Sequence, residues 1–419
     1  MPASASRLVD TAFWQLPLHE RMLEIEEMRE QAPIHTVGYV NELIDAHEEF
    51  HAVLTFDEAV HISKNPKDFC SGKGATSIVD LPAEMLEYFG GFINMDDPRH
   101  ARQRTIVART FTPKSLQGVL DSVETICAEV IDGFCEQGEV DLVEVLSQPF
   151  PLLVICDMMG IPRSDFDRVL RATNVILGAG DPEFLEGRDP MQAAIESGIE
   201  LVTLMNELAA HKRANPADDL TSKLVNQEFD EDVLTPEELG SFFILLAVAG
   251  NDTTRNATTY AVDLLSRHPD QRAILMDDLE GVGPTAVEEI VRASSPVNFM
   301  RRTVTHDLSI SGRDFTEGDR MILFYGAANR DPKTFTDPHR FDVRRDPNPH
   351  VGFGGPGPHF CLGAHLARRE VNVMLRQLYS RLPDIETAGE PVPLEAAGVP
   401  LVTGIKRLPV TFTPSAPVG

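Results

Sequence analysis

Basic residues are scarce in this 419-residue chain: 37 lysines and arginines are outnumbered by 65 aspartates and glutamates, for a formal net charge of −28. Affinity for nucleic acid comes from clustered basic side chains, so we expect no nucleic-acid partner. Long apolar runs are also lacking. The longest, Phe242–Gly250, covers 9 residues. A membrane-spanning helix needs roughly 20, so we expect no membrane anchor.

Cysteine is rare as well. The 5 cysteines, at positions 70, 127, 135, 156 and 361, are too few and too dispersed for a disulfide framework. The first residues show no basic start followed by an apolar stretch, as a secretory signal would have. We therefore expect a cytoplasmic protein with reduced thiols. Neither an internal repeat nor a linker-like composition divides the chain, which predicts a single domain over residues 1–419, and we expect a monomer.

Helical patterns dominate the sequence, with a minor β region. The clearest helix begins after Thr235, which forms a capping-box pattern with Glu238, and it continues to His268. About 32 residues at 1.5 Å each make a helix of roughly 48 Å. Its apolar centre predicts that it passes through the middle of the molecule.

The other predicted elements are shorter. They are a helix over 18–31 and strands over 299–304, 308–311 and 321–325. A second capping-box pattern, Thr285 with Glu288, predicts that a helix begins there and ends at Ser294. A final helix is expected from about Leu362.

The segment before Cys361 is rich in glycine and proline. Backbone N–H groups of such a loop and of a helix N-terminus lower the pKa of a thiol and bind its thiolate. A buried structural cysteine is the ordinary alternative. A hydrolase that uses His359 as its base is another, but that histidine is badly placed for the role. A dinucleotide-binding glycine pattern is rejected because no strand precedes it.

Residues 353–363 resemble the heme-binding loop of the cytochrome P450 family. The resemblance implies a mostly α fold in which heme b (iron protoporphyrin IX) lies between the long central helix and the cysteine loop. Cys361 would be the axial ligand of the iron, and a thiolate in that position favours cleavage of the O–O bond. Phe353, which would contact the heme, stands eight residues before the cysteine instead of the usual seven.

The middle of the long helix contains Ala249-Gly-Asn-Asp-Thr-Thr254. Polar side chains in an apolar helix need partners. The threonine could bond back to a carbonyl four residues earlier while the aspartate faces solvent. The segment also resembles the family's acid–alcohol pair. The resemblance implies catalytic roles for Asp252, as proton relay, and Thr253, as the alcohol in oxygen activation, with Gly250 leaving room for oxygen.

Two further motifs gain meaning from the resemblance. Glu289 and Arg292 stand three positions apart and can pair on one helix face. In the family such a pair joins a later arginine, here Arg340, in a buried structural network that supports the cysteine loop. His100 and Arg104 also share a helix face, either as a solvated basic face or as a carboxylate clamp.

The resemblance places His100 and Arg104 on the heme propionates. It adds His359 and one arginine of the pair Arg301 and Arg302. We favour Arg302, with Arg301 as the alternative.

His47-Glu48-Glu-Phe-His51 matches the HExxH signature of zinc peptidases. The residues from His51 onward look like a strand, which would break the helix that the motif needs, and no third ligand follows at a familiar spacing. A non-catalytic heme sensor is the other alternative. It would not need the pair Asp252 and Thr253.

The resemblance implies a monooxygenase that inserts one oxygen atom of O₂ into a C–H bond. With no flavin domain in the sequence, electrons would come from a ferredoxin and its reductase. Arginines near 99–114 and beside the cysteine loop would attract an acidic ferredoxin. The substrate would be a lipophilic small molecule, since the sequence is similar to actinobacterial hydroxylases of sterols and methyl-branched lipids, with terpenoids as a further possibility. The expected pocket residues are Ile78, Val79, Met85, Phe89, Phe92, Leu246, Ala249, Val297 and Phe299.

Overall fold

The computed structural model describes residues 4–41, 44–111, 117–178, 181–226, 233–395 and 398–419. Most of them are helical. The helices are α1 Thr11–Trp14, α2 Leu18–Gln31, α3 Phe56–Lys64, α4 Ala83–Gly90, α5 Arg99–Ala108, α6 Gln117–Asp132, α7 Pro149–Met159, α8 Phe166–Leu177, α9 Pro182–Leu185, α10 Pro190–Ala214, α11 Leu220–Val225, α12 Pro236–Arg267, α13 Pro269–Asp277, α14 Leu279–Ser294, α15 Tyr325–Ala328 and α16 Ala364–Arg381.

The strands are β1 Ile34–Asn41, β2 Ala46–Val53, β3 Phe69–Cys70, β4 Glu139–Asp141, β5 Phe299–Val304, β6 Leu308–Ile310, β7 Arg313–Phe315, β8 Arg320–Phe324, β9 Glu386–Thr387, β10 Val392–Pro393, β11 Ile405–Arg407 and β12 Pro409–Thr411. The main sheet has the order β1-β2-β8-β5-β3, in which only β2 and β8 run parallel. Smaller sheets pair β4-β12-β9, β6-β7 and β10-β11.

The predicted central helix is confirmed as α12. Thr235 caps it as expected: the Glu238 N–H donates to the threonine hydroxyl at 3.2 Å, and the Thr235 N–H donates to the glutamate carboxylate at 3.0 Å. Helices α4, α7, α10, α14 and α16 pack around α12, and it forms part of the largest hydrophobic core. The helix is buried on most sides because these helices, together with α8 and α13, cover it.

The predicted second capping box is wrong. Helix α14 begins six residues earlier, at Leu279, where the Asp278 carboxylate accepts from the Gly281 N–H at 2.9 Å. The Thr285 hydroxyl lies inside the helix and donates to the carbonyls of Val282 and Val343. The sequence contains an earlier N-cap residue, Asp278, and the helix that begins there continues through Pro284.

Other predicted boundaries agree closely with the structure. Helix α2 and strand β5 have the predicted limits. Strand β6 ends one residue earlier than predicted, β8 is shifted by one residue at both ends, and α16 begins at Ala364. All five cysteines are free thiols. Among the described residues, none of the helices combines the length and apolar character needed to cross a membrane.

Candidate active site

A cavity, partly open to solvent, lies between the middle of α12 and the glycine-rich loop before α16. Its polar and charged lining residues are Ser63, Arg104, Thr253, Thr254, Arg302, Tyr325, His359 and Cys361. Most of the remaining lining is apolar. A large apolar cavity with a few convergent polar groups is the usual form of a ligand site.

The cysteine loop is held by its own backbone and by helix α3. The Cys361 N–H donates to the Phe353 carbonyl at 3.0 Å, which closes the loop. Gly355 and Gly357 lie against Ser63 so closely that a Cβ on either would overlap atoms of that serine. The high glycine content is therefore needed for the approach of the loop to α3.

Cys361 opens onto the cavity, three residues before α16 begins. Burial among protein groups raises the pKa of its thiol, although the N–H groups of Gly363 and Ala364 and the charges of Arg104 and Arg368 act in the opposite direction. The expected lowering of this pKa is therefore wrong for the protein groups alone, because desolvation outweighs the donors. A thiol in this setting becomes a thiolate when it coordinates a metal ion.

Beneath the loop lies an ionic cluster that the sequence reasoning missed. The Arg368 guanidinium lies 4.3 Å from the centre of the Phe353 ring. It donates to the Glu288 carboxylate at 2.5 and 2.9 Å, and His350 donates to the same carboxylate at 2.9 Å. Burial works to raise the pKa of Glu288, but these hydrogen bonds dominate and lower it to about 2. The cluster joins α14, the loop and α16.

Basic side chains gather at one side of the cavity. Arg104, Arg302 and His359 line it, and the ring of His100 lies behind, 4.1 Å from that of His359. Burial, followed by the charges of Arg302, His100 and Arg104, lowers the pKa of His359 to about 2. The Nε2 atom of His100 is buried and has no partner among the described residues. This arrangement fits an anionic ligand, because only such a ligand would relieve the mutual repulsion and use the orphaned nitrogen.

The two neighbouring arginines of β5 have different environments. Arg302 lines the cavity, whereas Arg301 is buried on the other side of the strand. Arg301 donates to Asp80 at 2.6 Å and to Thr303 at 3.1 Å. Consecutive strand residues point to opposite faces, so only one of the two can reach the cavity.

On α12, Thr253 and Asp252 point in different directions. Thr253 lines the cavity, and its hydroxyl donates to the Ala249 carbonyl at 2.7 Å. Asp252 is 2% exposed and does not line the cavity. Its carboxylate lies 3.5 Å from the Arg255 guanidinium and accepts from Asn251 at 3.3 Å. The alternative in which the aspartate faces solvent is therefore wrong.

Gly250 also lines the cavity, but its lack of a side chain has a second cause. A Cβ at this position would lie 2.7 Å from the Cδ1 atom of Ile155 on α7. The close packing of α7 against α12 is therefore a sufficient structural reason for glycine here.

The expected pocket residues divide into two groups. Phe92, Leu246, Ala249 and Val297 line the cavity. The expectation was wrong for the others, which lie outside the lining: Ile78, Val79, Met85, Phe89 and Phe299. Phe299, for example, is 1% exposed in the core between β5 and α2, because its strand face is turned from the cavity.

Several lining residues were missed: Ile93, Phe111, Phe242, Leu245, Pro296 and Met300. Phe242, Leu245, Ala249 and Thr253 stand three or four positions apart on α12. A step of four positions back from Ala249 gives Leu245, and the same step back from Leu246 gives Phe242, so the helical period could have identified both from the sequence.

The buried network around Glu289 differs from the expectation in one residue. Arg292 donates to the Glu289 carboxylate at 2.7 and 2.8 Å, and both side chains are fully buried. The third member is Arg345, which donates to Glu289 at 3.1 Å. The prediction of Arg340 was wrong: its side chain is 61% exposed and pairs with Asp342 at 3.6 Å. Arg340 contributes only its backbone carbonyl, which accepts from Arg292 at 3.2 Å.

The HExxH motif lies within strand β2. Along a strand the two histidines are roughly 13 Å apart, and the intervening Glu48 points to the opposite face. Glu48 accepts from Arg320 at 2.7 Å and from Tyr39 at 2.6 Å. No cluster of histidine, cysteine and acidic residues suited to a metal ion occurs in the described part of the chain. The geometry excludes the zinc-peptidase arrangement.

Sequence and structure comparisons with known proteins point to the same family as the cysteine loop and the central helix. The family model "Cytochrome P450" matches residues 139–383. The methyl-branched lipid omega-hydroxylase of Mycobacterium tuberculosis is 43% identical over 423 residues, covering 99% of this chain and 96% of that protein. The chain therefore belongs to the cytochrome P450 family.

Other relatives extend the comparison. The steroid C26-monooxygenase of Mycolicibacterium smegmatis is 32% identical, covering 93% of this chain and 90% of that protein. The solved structure of a Mycobacterium marinum cytochrome P450 in complex with pseudoionone has a TM-score of 0.90 and 37% identity, covering 98% of this chain and 99% of the other. Family membership confirms the cytochrome P450 fold, monooxygenase activity and heme as cofactor.

Proposed function

We propose that this protein hydroxylates a terminal methyl group of a methyl-branched lipid, in the cytoplasm, as a single-domain monomer over residues 1–419. The observation that carries the proposal is the wall of the cavity. Apart from the eight polar and charged residues given above, its side chains are apolar, among them Phe92, Phe242, Leu246 and Met300. Such a wall binds hydrocarbon chains through the hydrophobic effect. The higher identity to a methyl-branched lipid omega-hydroxylase than to a steroid monooxygenase supports the choice of lipid.

The residues of the site have distinct roles in this proposal. Cys361 would ligate the iron, while Arg104, Arg302, His100 and His359 would hold the propionates. When bound, the heme would supply the activation of O₂ that inserts one oxygen atom into a substrate C–H bond, with the other atom reduced to water.

Thr253 presents a hydroxyl to the cavity and can move a proton there. Asp252 on the next position relays that proton. Phe353 supports the cysteine loop, and the Arg368 guanidinium packs over its ring.

A ferredoxin and its reductase supply the electrons in this proposal. The basic surface that would receive the ferredoxin is smaller than a residue count suggests. Arg99 pairs with Glu87 at 2.5 Å and Arg102 with Glu238 at 2.7 Å. Lys114, a further basic residue of the 99–114 stretch, lies outside the described residues. The exposed Phe360, directly before the cysteine, adds an apolar contact for the partner.

The substrate class is tested by titrating the heme protein with methyl-branched lipids, matched straight-chain lipids, sterols and terpenoids. We expect displacement of the heme-bound water, seen as a Soret shift, at the lowest concentration for the branched lipids. Mass spectrometry should then find the hydroxyl group on a terminal methyl carbon. Tighter binding and turnover of a sterol or terpenoid, or oxidation within the chain, would contradict the proposed substrate.

The role of Thr253 is tested with Thr253→Ala. Loss of the cavity hydroxyl should lower product formation by about tenfold or more while electron consumption continues. Thr253→Ser should keep most of the product yield. Thr259→Val is a matched control, because that hydroxyl bonds back to the Arg255 carbonyl at 2.8 Å and lies outside the cavity lining. Product yield from Thr253→Ala equal to that of the unaltered protein would refute the role.

A further inference from the structure

Helix α12 contains an ion pair in a buried position beside the cavity. The Arg255 guanidinium lies 3.5 Å from the Asp252 carboxylate, and the two side chains are each 3% exposed. Neither residue lines the cavity, whereas Thr253 between them does. The pair therefore lies behind the residue that presents its hydroxyl to the oxygen site.

The charge of Arg255 determines the charge of its partner. A guanidinium group does not lose its proton in proteins, and a buried charge without a counter-charge costs several kcal/mol. Asp252 is the only carboxylate within 4 Å of Arg255 among the described residues. Burial raises the pKa of Asp252, and Arg255 acts in the opposite direction. The cation of Arg255 is thus the group that opposes protonation of this carboxylate.

Unsatisfied polar atoms surround the pair. The Oδ1 atom of Asn251, the Nε atom of Arg255 and both amide atoms of Asn256 are buried with no hydrogen-bond partner among the described groups. The Asn256 amide lies directly against Gly404, where a Cβ would overlap it. Buried polar atoms of folded proteins are satisfied by protein groups or by internal water. Four such atoms within six positions of one helix define a polar seam suited to water.

We infer that Arg255 is a positioning residue for proton delivery, which holds Asp252 ionised and turned toward the polar seam of Asn251 and Asn256. The inference rests on the proposed roles of Asp252 and Thr253. A water molecule of the seam gives a proton to the carboxylate and takes up another from bulk solvent, so that it remains water. Asp252 then passes a proton to the Thr253 hydroxyl, which releases its own proton into the cavity. The carboxylate returns to its ionised form beside Arg255, so one proton moves and no other bond changes.

The inference is tested with the heme-loaded protein and three variants. Arg255→Gln removes the cation, Arg255→Lys keeps it, and Asp252→Asn removes the relay itself. Arg267→Gln is the matched control, because Arg267 pairs with Asp263 at 2.8 Å on the same helix, far along the chain from Thr253. Heme content and the Kd for substrate, from the Soret shift, show whether each variant keeps the fold and the cavity.

Arg255→Gln should lower turnover by about tenfold or more, with more reduced oxygen lost as peroxide per electron and an unchanged Kd for substrate. Infrared difference spectra at neutral pH should show a new C=O stretch of a protonated carboxyl group. This band should be absent from the double variant Asp252→Asn with Arg255→Gln. Arg255→Lys should recover most of the turnover and remove the band, and Arg267→Gln should behave like the unaltered protein.

The outcomes separate this inference from the proposed function. If Asp252→Asn turns over at the unaltered rate, the proposed relay fails. If Asp252→Asn is slow while Arg255→Gln is not, the relay stands and the role of Arg255 is refuted. Three other results would show that Arg255 has only a structural role, and each would also refute the inference. They are a slow Arg255→Gln variant that lacks the carboxyl band, a slow variant whose turnover Arg255→Lys does not restore, and an equal loss of turnover in Arg267→Gln.

Discussion

The contact between the cysteine loop and α3 leads to a specific prediction for Gly357→Ala. A Cβ on Gly357 would overlap the carbonyl oxygen of Ser63 and lie 3.1 Å from its carbonyl carbon. These atoms belong to the backbone of α3 and cannot rotate away. The loop must therefore move by roughly 1 Å to restore an ordinary contact.

The size of the effect follows from this overlap. Forcing extra volume into a packed site costs about 1–3 kcal/mol. A cost near 2 kcal/mol raises the population of a displaced loop roughly thirtyfold. Because Cys361 is four residues further along the same loop, the displacement moves the sulfur that we propose as the ligand of the iron.

Two measurements on the purified heme protein test this prediction. Gly357→Ala should lower the heme content and the share of the reduced carbon-monoxide complex that shows the red-shifted absorption of thiolate ligation. It should also lower the urea concentration at which the Soret band is lost. The control is Gly118→Ala on α6, because a Cβ there has no heavy atom within 4 Å and the position does not line the cavity. Equal thiolate ligation and urea resistance in the two variants would refute the packing argument.

Two further predictions concern the ionic networks below the loop. Arg345→Gln should destabilise the protein by about 2–4 kcal/mol, because it leaves the buried Glu289 with one cation fewer. Arg340 is exposed, so Arg340→Gln should change the stability by less than about 0.5 kcal/mol. Urea midpoints that rank the two variants in the other order would restore Arg340 as the third member of the network. Since the pKa of Glu288 is lowered from 4.5 to about 2, its ionic contribution is complete above pH 4.5 and is lost as pH falls toward 2. Urea midpoints should therefore show Glu288→Gln less stable than the unaltered protein at pH 7, with a gap that narrows below pH 4.5, and a gap independent of pH would contradict the assigned ion pairs.

Local patterns allowed much of the molecule to be predicted from the sequence. The capping box at Thr235, the pairing of Glu289 with Arg292 and the cysteine loop each involve residues within a few positions of one another. For such residues the helix or loop geometry alone determines which side chains can meet. The family resemblance rested on these local motifs, and the comparisons confirmed it.

The misassigned residues share a different property. Each depends on contacts between residues that are far apart in the sequence. Arg345, which takes the place predicted for Arg340, bonds to Glu289 across more than 50 positions of the chain. Ile155 approaches Gly250 from another helix. The pKa of Cys361 depends on how many groups bury it, and no linear motif carries that information.

The sequence by itself determined the fold family, the cysteine loop and the central helix, because each follows from a contiguous pattern of residues. Only the tertiary structure decided which of Arg301 and Arg302 reaches the cavity, which apolar residues line it, and that Asp252 turns back to Arg255. Neighbouring residues differ in the face of the strand or helix that they occupy. Which face meets a cavity is settled by how distant segments pack against one another.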